Sequence, residues 1–206
     1  MTRAIDINEY IAQHFNEKAI EALKFAEHYG KDFNTFFYRS NFDHFLRMDA
    51  LEFRAPNYQH NTFLDNNCWP VKNSLNFPGP FYTGESGTCG TGICEAPINI
   101  LNDGENCEYI FRQPQTYLEF LCILDAAETE VLERYSCNGN DYWTYEKCRL
   151  WWRDKPDILN SLSKCEDNFQ YEVYLNGAAE KDLKRYCFFL ENGNYPSKMR
   201  QKICQA

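Results

Sequence analysis

The sequence predicts an α+β fold dominated by helices, in a single globular domain over residues 1–206. Apolar residues recur at helical spacing near both ends, whereas six of the eight prolines lie within residues 55–114. Hydrophobic residues make up 44% of the chain and include 16 Phe, 14 Tyr and 4 Trp, a composition typical of folded rather than disordered proteins. We therefore expect helices at the N- and C-terminal ends around a small central layer of strands or irregular chain.

Residues 1–54 are predicted to form a pair of helices. Asp6 and Glu9 have the spacing of a capping box, apolar residues follow at helical intervals, and Gly30 ends the expected helix over 6–29. A second helix is predicted over 33–52, because its Phe residues fall on one stripe. We expect the two helices to pack as an antiparallel pair.

Residues 55–114 form the predicted β or loop layer. Proline, glycine and asparagine interrupt every helical period in this region. Short apolar runs over 97–101 and 108–111 are predicted strands, with turn residues 102–104 between them. A structureless segment of this length is unusual in a compact domain, so it either pairs into strands or builds a functional surface.

The remaining part, residues 115–206, is predicted to be mainly helical. A capping box at Thr116 and Glu119 begins a helix that extends to about Tyr135. A further helix begins after Thr144 and is stopped or kinked by the proline at position 156.

Three shorter segments follow in the C-terminal part. A helix is predicted over 158–162, and an amphipathic helix over 179–190 ends near Gly193. Apolar residues alternate over 169–175 and predict a strand, although a run of this length is also compatible with a helix.

The formal net charge of −9 is concentrated in one segment. Residues 105–133 contain one basic residue, Arg112, and seven acidic ones: Glu105, Glu108, Glu119, Asp125, Glu128, Glu130 and Glu133. An acidic protein is a poor match for nucleic acid, because a phosphate backbone is bound through clustered Lys and Arg. The segment is either a solvated helix face or a docking face for a basic protein, with Glu128, Glu130 and Glu133 as predicted contacts.

The 10 cysteines are predicted to be mostly reduced, buried thiols. None lies before Cys68, the first residues lack the apolar stretch of a signal peptide, and no run approaches the roughly 18 residues of a membrane span. We therefore expect a cytoplasmic protein outside the membrane. The even number of cysteines leaves a secreted, disulfide-bonded protein open as the alternative.

A glycine-rich segment over 83–95 is the most unusual feature of the sequence. Gly84, Gly87, Gly90 and Gly92 fall within nine residues, and such density lets backbone N–H groups point into a common anion-binding concavity. The segment matches neither a Walker A loop nor a dinucleotide-binding fingerprint. It is either a structural loop or a binding or catalytic one.

Cys89, inside this segment, is the candidate nucleophile. Backbone amides nearby can stabilise a thiolate or an oxyanion, and His60 is the histidine nearest in sequence that can act as its base. Cys89 and Cys94 are spaced too far apart for the C-x-x-C redox signature. Cysteines and histidines also lack the paired spacing of structural zinc sites, so neither a metal nor a cofactor is predicted.

An aromatic cluster follows the acidic segment. It contains Trp143, Trp151, Trp152 and Arg153, and residues of these types dominate the energetics of protein interfaces. Tryptophans at helical spacing are also typical of a core, so the cluster is either a docking patch or part of the interior.

The function predicted from these features is that of a cytosolic acidic binding protein, of an inhibitor or immunity type, that neutralises a basic protein partner. The acidic segment, the aromatic content and the incomplete catalytic set favour it. The alternative is a thiol-dependent or anion-binding enzyme centred on residues 83–95, with Cys89 as nucleophile.

Overall fold

Helices begin and end the described chain and surround two small antiparallel sheets, which confirms the predicted α+β class. The computed structural model describes residues 7–56, 64, 67–84, 90–103, 105, 107–130, 132–163 and 168–196, with side chains from residue 16 onward. Its helices are α1 (Ile7–Tyr29), α2 (Phe33–Phe37), α3 (Phe42–Phe45), α4 (Leu51–Arg54), α5 (Gly92–Glu95), α6 (Tyr117–Thr129), α7 (Tyr145–Arg153), α8 (Lys155–Leu162), α9 (Phe169–Asn176) and α10 (Ala179–Asn192). Its strands are β1 (Tyr82–Thr83), β2 (Ile100–Asn102), β3 (Glu108–Ile110) and β4 (Tyr135–Ser136).

The N-terminal helix confirms one expectation, and the segment after it contradicts another. α1 ends at Tyr29, where Gly30 adopts a left-handed φ of +95°. The single helix predicted over 33–52 is wrong, because the chain leaves the helix after Phe37 and Asn41 takes a left-handed φ of +58°. The expected antiparallel pair of long helices therefore does not form.

The break after α2 has a physical reason in the packing of two phenylalanines. Phe37 and Phe42 are five residues apart, which in one continuous helix would place them ~140° apart around its axis. With the break, both rings contact Phe81 at centroid distances of 5.6 Å. A π-helical turn, Leu46–Ala50, then joins α3 to α4.

The central layer is held together largely by side-chain amides. β2 pairs with β3 in the predicted hairpin, and β1 pairs with β4, where Thr83 lies opposite Tyr135, 52 positions later in the chain. The buried Asn76 side chain accepts hydrogen bonds from the backbone N–H groups of Thr83 and Ile110 and donates to the Thr83 carbonyl. One amide thus connects β1 to β3.

The helix predicted to run from Thr116 to about Tyr135 is shorter than expected. Thr116 caps it through the Glu119 N–H, as predicted, but α6 ends at Thr129. The Glu130 carboxylate then accepts hydrogen bonds from backbone N–H groups and turns the chain into β4, which contains Tyr135.

The C-terminal helices pack on one another and on the central layer. Thr144 caps α7, as the sequence predicts, and this helix ends at Arg153, before Pro156. Pro156 itself lies in the first turn of α8. The strand predicted over 169–175 is wrong, because α9 covers this segment and buries Tyr171, Tyr174 and Leu175, which have helical spacing. Each helix in the described part of the chain is too short or too polar to cross a bilayer.

Candidate functional site

Glycines of the glycine-rich segment allow close packing of the chain beside α5. The buried Gly84 donates its N–H to the Arg134 carbonyl at 2.9 Å, and Gly90 adopts a left-handed φ of +69°. A Cβ added to Gly92 would lie 2.7 Å from Glu108 Oε2, so only glycine allows this approach. Gly87 lies outside the described residues.

An internal carboxylate already occupies the Gly92 amide. Glu108 lies buried in β3. Its carboxylate accepts a hydrogen bond from the Gly92 N–H at 2.7 Å and another from the Tyr135 hydroxyl at 2.8 Å. Burial raises the pKa of Glu108 above its ordinary value, although these hydrogen bonds act in the opposite direction. Burial and the neighbouring Glu108 raise the pKa of Tyr135 well above its ordinary value. An external anion at the Gly92 amide would have to displace Glu108.

The proposed nucleophile and base cannot be placed. Cys89 and His60 both lie outside the described residues, so their pairing stays a prediction. Cys94, from the same segment, has an exposed side chain on α5. Across the ranges that the structure describes, no three His, Cys, Asp or Glu side chains are grouped so as to hold a metal ion.

The acidic residues of 105–133 are largely engaged within the protein. Glu108 and Glu130 are buried, and Glu119 pairs with Arg112 at 2.9 Å. Glu130 accepts hydrogen bonds from the backbone N–H groups of Leu132 and Arg134 at 2.9 Å, so its carboxylate stabilises a turn. Its position argues against the predicted role of Glu130 as a surface contact, whereas Glu128 and Glu133 are exposed.

Two basic residues form ion pairs with four carboxylates that lie on several helices. Lys18 on α1 and Arg54 on α4 both pair with Asp125 on α6. We call this set the ion-pair cluster; its members are Lys18, Arg54, Glu21, Glu95, Asp125 and Glu128. These six side chains carry four negative and two positive formal charges, so the set as defined has a formal charge of −2.

The ion-pair cluster has an interior and a rim. Only 4% of the Lys18 side chain is exposed, and it lies 3.5 Å from Glu95 Oε2 as well as beside Asp125. Burial alone would lower the pKa of Lys18, but Asp125 and Glu95 raise it above its ordinary value. Arg54 Nε lies 2.9 Å from Glu21 Oε1, and Arg54 Nη1 lies 3.8 Å from Glu128 Oε2. Glu21, Glu95 and Glu128 are partly exposed and form the rim.

The aromatic cluster is divided between core and surface. Trp143 and Trp151 are buried, and Trp151 Nε1 donates to the Ser74 carbonyl at 3.3 Å. Neither ring is therefore available as a surface anchor. Trp152 is half-buried, and Arg153 is exposed and pairs with Asp154 at 3.2 Å, so these two of the predicted docking residues can reach a partner.

Sequence reasoning missed Lys18, Glu21, Arg54 and Glu95 as members of one site. Lys18 and Glu21 have ordinary surface spacing on an amphipathic helix, and nothing local indicates that Arg54 contacts a residue 71 positions later. Only tertiary packing brings α1, α4, α5 and α6 together.

No protein-family model matches this chain, and no curated protein or solved structure is similar enough to count as a match.

Proposed function

We propose that the protein is a cytosolic binding protein, of an inhibitor or immunity type, that binds a basic protein partner through the rim of the ion-pair cluster. One observation carries the proposal: the ion-pair cluster combines four carboxylates with the two cations Lys18 and Arg54, and three of those carboxylates are partly exposed. A local excess of negative charge attracts a basic partner and orients its approach.

The interior of the cluster supports this role by fixing its rim. Arg54 contacts Asp125, Glu21 and Glu128 at once, which restrains carboxylates from α1 and α6. Charges held in place before binding lose less conformational entropy when a partner arrives. The rim is therefore better suited to binding than isolated surface carboxylates.

The residues expected to contact the basic partner differ from those predicted from the sequence. Glu128 keeps its role and is joined by Glu21 and Glu95, whereas Glu130 stabilises a turn. Glu133, Trp152 and Arg153 remain candidate contacts, although none of them is a member of the ion-pair cluster. Described cysteines such as Cys68, Cys122 and Cys137 are free thiols, which is compatible with a reducing compartment.

Charge reversal on the rim tests the proposal with a defined probe. The probe is a short Arg/Lys-rich peptide, and its Kd is measured by calorimetry at low and physiological salt. We expect the double variant E21K/E128K to weaken binding by about tenfold, equal to about 1.4 kcal/mol. The matched control E146K/E180K makes the same change in net charge at exposed positions on α7 and α10.

The control separates a local face from net charge. A loss confined to E21K/E128K supports the rim as the binding face. An equal loss in both double variants, or no loss in either, contradicts the proposal. A gene for a basic toxin or nuclease next to this one would further favour the inhibitor class.

A separate experiment tests the alternative that the protein is a thiol-dependent enzyme. A Cys89 thiol that reacts with iodoacetamide at pH 7 much faster than a free thiol would favour a thiol-dependent enzyme at residues 83–95. Ordinary reactivity of Cys89 would remove its support.

A further inference from the structure

Arg39, in the turn after α2, carries a half-buried guanidinium group that forms no ion pair with a described residue. Within the ranges that the structure describes, its hydrogen bonds all go to backbone carbonyls. Arg47, by comparison, pairs with Asp43 at 3.4 Å. Burial lowers the pKa of Arg39, although Asp49 acts in the opposite direction. A cation that is partly removed from water without a counterion is stabilised by an anion that reaches it from outside.

The backbone and one ring hold this guanidinium group in a fixed orientation. Nε of Arg39 donates to the Phe36 carbonyl at 2.8 Å and Nη2 to the Thr35 carbonyl at 3.4 Å, which caps the last turn of α2. Its Cζ lies 3.6 Å from the centroid of the Phe45 ring. The two hydrogen bonds use one edge of the planar group, and the Nη1–Nη2 edge carries further N–H donors. Two parallel donors of this kind match the two oxygens of a carboxylate or a phosphate.

The guanidinium group has aromatic surroundings and an unusual turn beside it. Phe45 directly precedes the π-helical turn Leu46–Ala50, and turns of this rare type are frequent at functional sites. The Tyr29 ring contacts Phe45 at a centroid distance of 5.6 Å, and its hydroxyl donates to Asp49 of the turn at 2.6 Å. Met48, in the same turn, is 68% exposed. The ring of Phe45 and the turn that follows it therefore place apolar surface beside the guanidinium group.

We propose that Arg39, Tyr29, Phe45 and Met48 form a site for a carboxylate ligand with an apolar body. A single guanidinium group balances the one negative charge of a carboxylate. Phosphate monoesters carry roughly −1.5 to −2 charges at pH 7 and are recognised by clusters of arginines. Asp49 beside the site also repels a dianion more strongly than a monoanion. The proposal is independent of the ion-pair cluster, whose rim is suited to cations.

Titration of the full chain with sodium benzoate tests the proposal. The Nε–Hε signals of 15N-labelled arginine side chains are followed by NMR, and the Arg39 signal is assigned through its bonds to the backbone resonances. We expect this signal to move along a saturating curve, with a Kd on the order of 1 mM for so small a ligand. Arg153, which is exposed and pairs with Asp154, is the internal reference and should show no saturating shift. Indistinguishable responses of Arg39 and Arg153 would overturn the proposal.

Two further probes separate recognition of a carboxylate from other causes. Benzamide has the ring of benzoate without its charge, so we expect it to bind about tenfold more weakly or less. Inorganic phosphate should also bind more weakly than benzoate, because it has no apolar body and carries more charge at pH 7. Equal affinity for benzamide and benzoate, or tighter binding of inorganic phosphate, would contradict the assignment of a carboxylate ligand.

A conservative variant tests the role of the two parallel donors. Arg39→Lys keeps the positive charge but loses the planar fork, so we expect about tenfold weaker binding of benzoate, measured from the methyl signal of Met48. Arg153→Lys makes the same substitution at an exposed position and should leave the Kd unchanged. An unchanged Kd in Arg39→Lys would show that the fork does not bind the ligand. The titration of the unsubstituted protein remains decisive if Arg39→Lys fails to fold.

Discussion

The Lys18 ammonium group and the Asp125 carboxylate form an ion pair in the interior between α1 and α6. The other oxygen of Asp125 pairs with Arg54, so one carboxylate connects three helices. A buried charge that loses its oppositely charged partner still carries the free-energy cost of its removal from water. The attraction that offset this cost is gone. The loss of Asp125 would therefore leave both Lys18 and Arg54 without this counterion.

The variant Asp125→Asn is expected to lower the free energy of unfolding by about 3–5 kcal/mol, because Lys18 and Arg54 lose their shared counterion. Urea denaturation at neutral pH measures the change. Glu146→Gln removes an exposed partner of Arg149 and is the matched control, with an expected loss of about 0.5 kcal/mol or less. The double variant K18M/D125N should recover part of the loss, and equal losses in Asp125→Asn and Glu146→Gln would contradict the prediction.

The buried Glu108 is expected to make stability depend on pH. Its pKa is raised in the folded state, so its contribution is fully present below the unfolded pKa, near 4.5, and is lost as pH rises through the folded pKa. The variant Glu108→Gln removes this titration. Urea midpoints measured from pH 4 upward should therefore fall more steeply in the unsubstituted protein than in the variant. Glu105→Gln, at an exposed position, should keep the original slope, and a Glu108→Gln profile parallel to the original would refute this prediction.

The two neighbouring tryptophans of α7 are expected to respond differently to truncation. Trp151→Ala removes a buried ring that contacts Phe77 at 5.3 Å and should cost about 3–5 kcal/mol. Trp152 is half-buried, so Trp152→Ala should cost clearly less while it removes a candidate contact. Thermal unfolding followed by circular dichroism compares the two variants. A larger loss for Trp152→Ala would contradict the division of the cluster into core and surface.

Local signals in the sequence predicted much of the helical structure. Thr116 and Thr144 cap α6 and α7 through their own side chains, and Gly30 and Gly193 end α1 and α10 with positive φ. Each of these interactions joins residues within about one helical turn. Such contacts can be predicted from a short window of sequence.

The errors arise where distant contacts decide the structure. The predicted strand over 169–175 was inferred from alternation, yet Phe169 and Val173 are exposed, and Tyr171 instead reaches Leu75 in the central layer. Glu130 is a local exception: it was predicted to contact a partner, but its carboxylate accepts hydrogen bonds from backbone N–H groups two and four residues later and turns the chain after α6. The ion-pair cluster likewise depends on helices that are far apart in sequence, so its residues carry no local signature.

The hydroxyl of Tyr171 donates to the carbonyl of Leu75 at 2.9 Å, across 96 positions of the chain. During synthesis on the ribosome, the Leu75 segment therefore emerges long before the helix that completes it. Similarly, the Gly30 carbonyl accepts a hydrogen bond from the hydroxyl of Tyr117, which is synthesised 87 residues later. Loop closure of this kind slows folding, so a helix-rich chain completes its central layer only after α9 has been synthesised. Until then, the nascent protein exposes apolar surface that α9 will later cover.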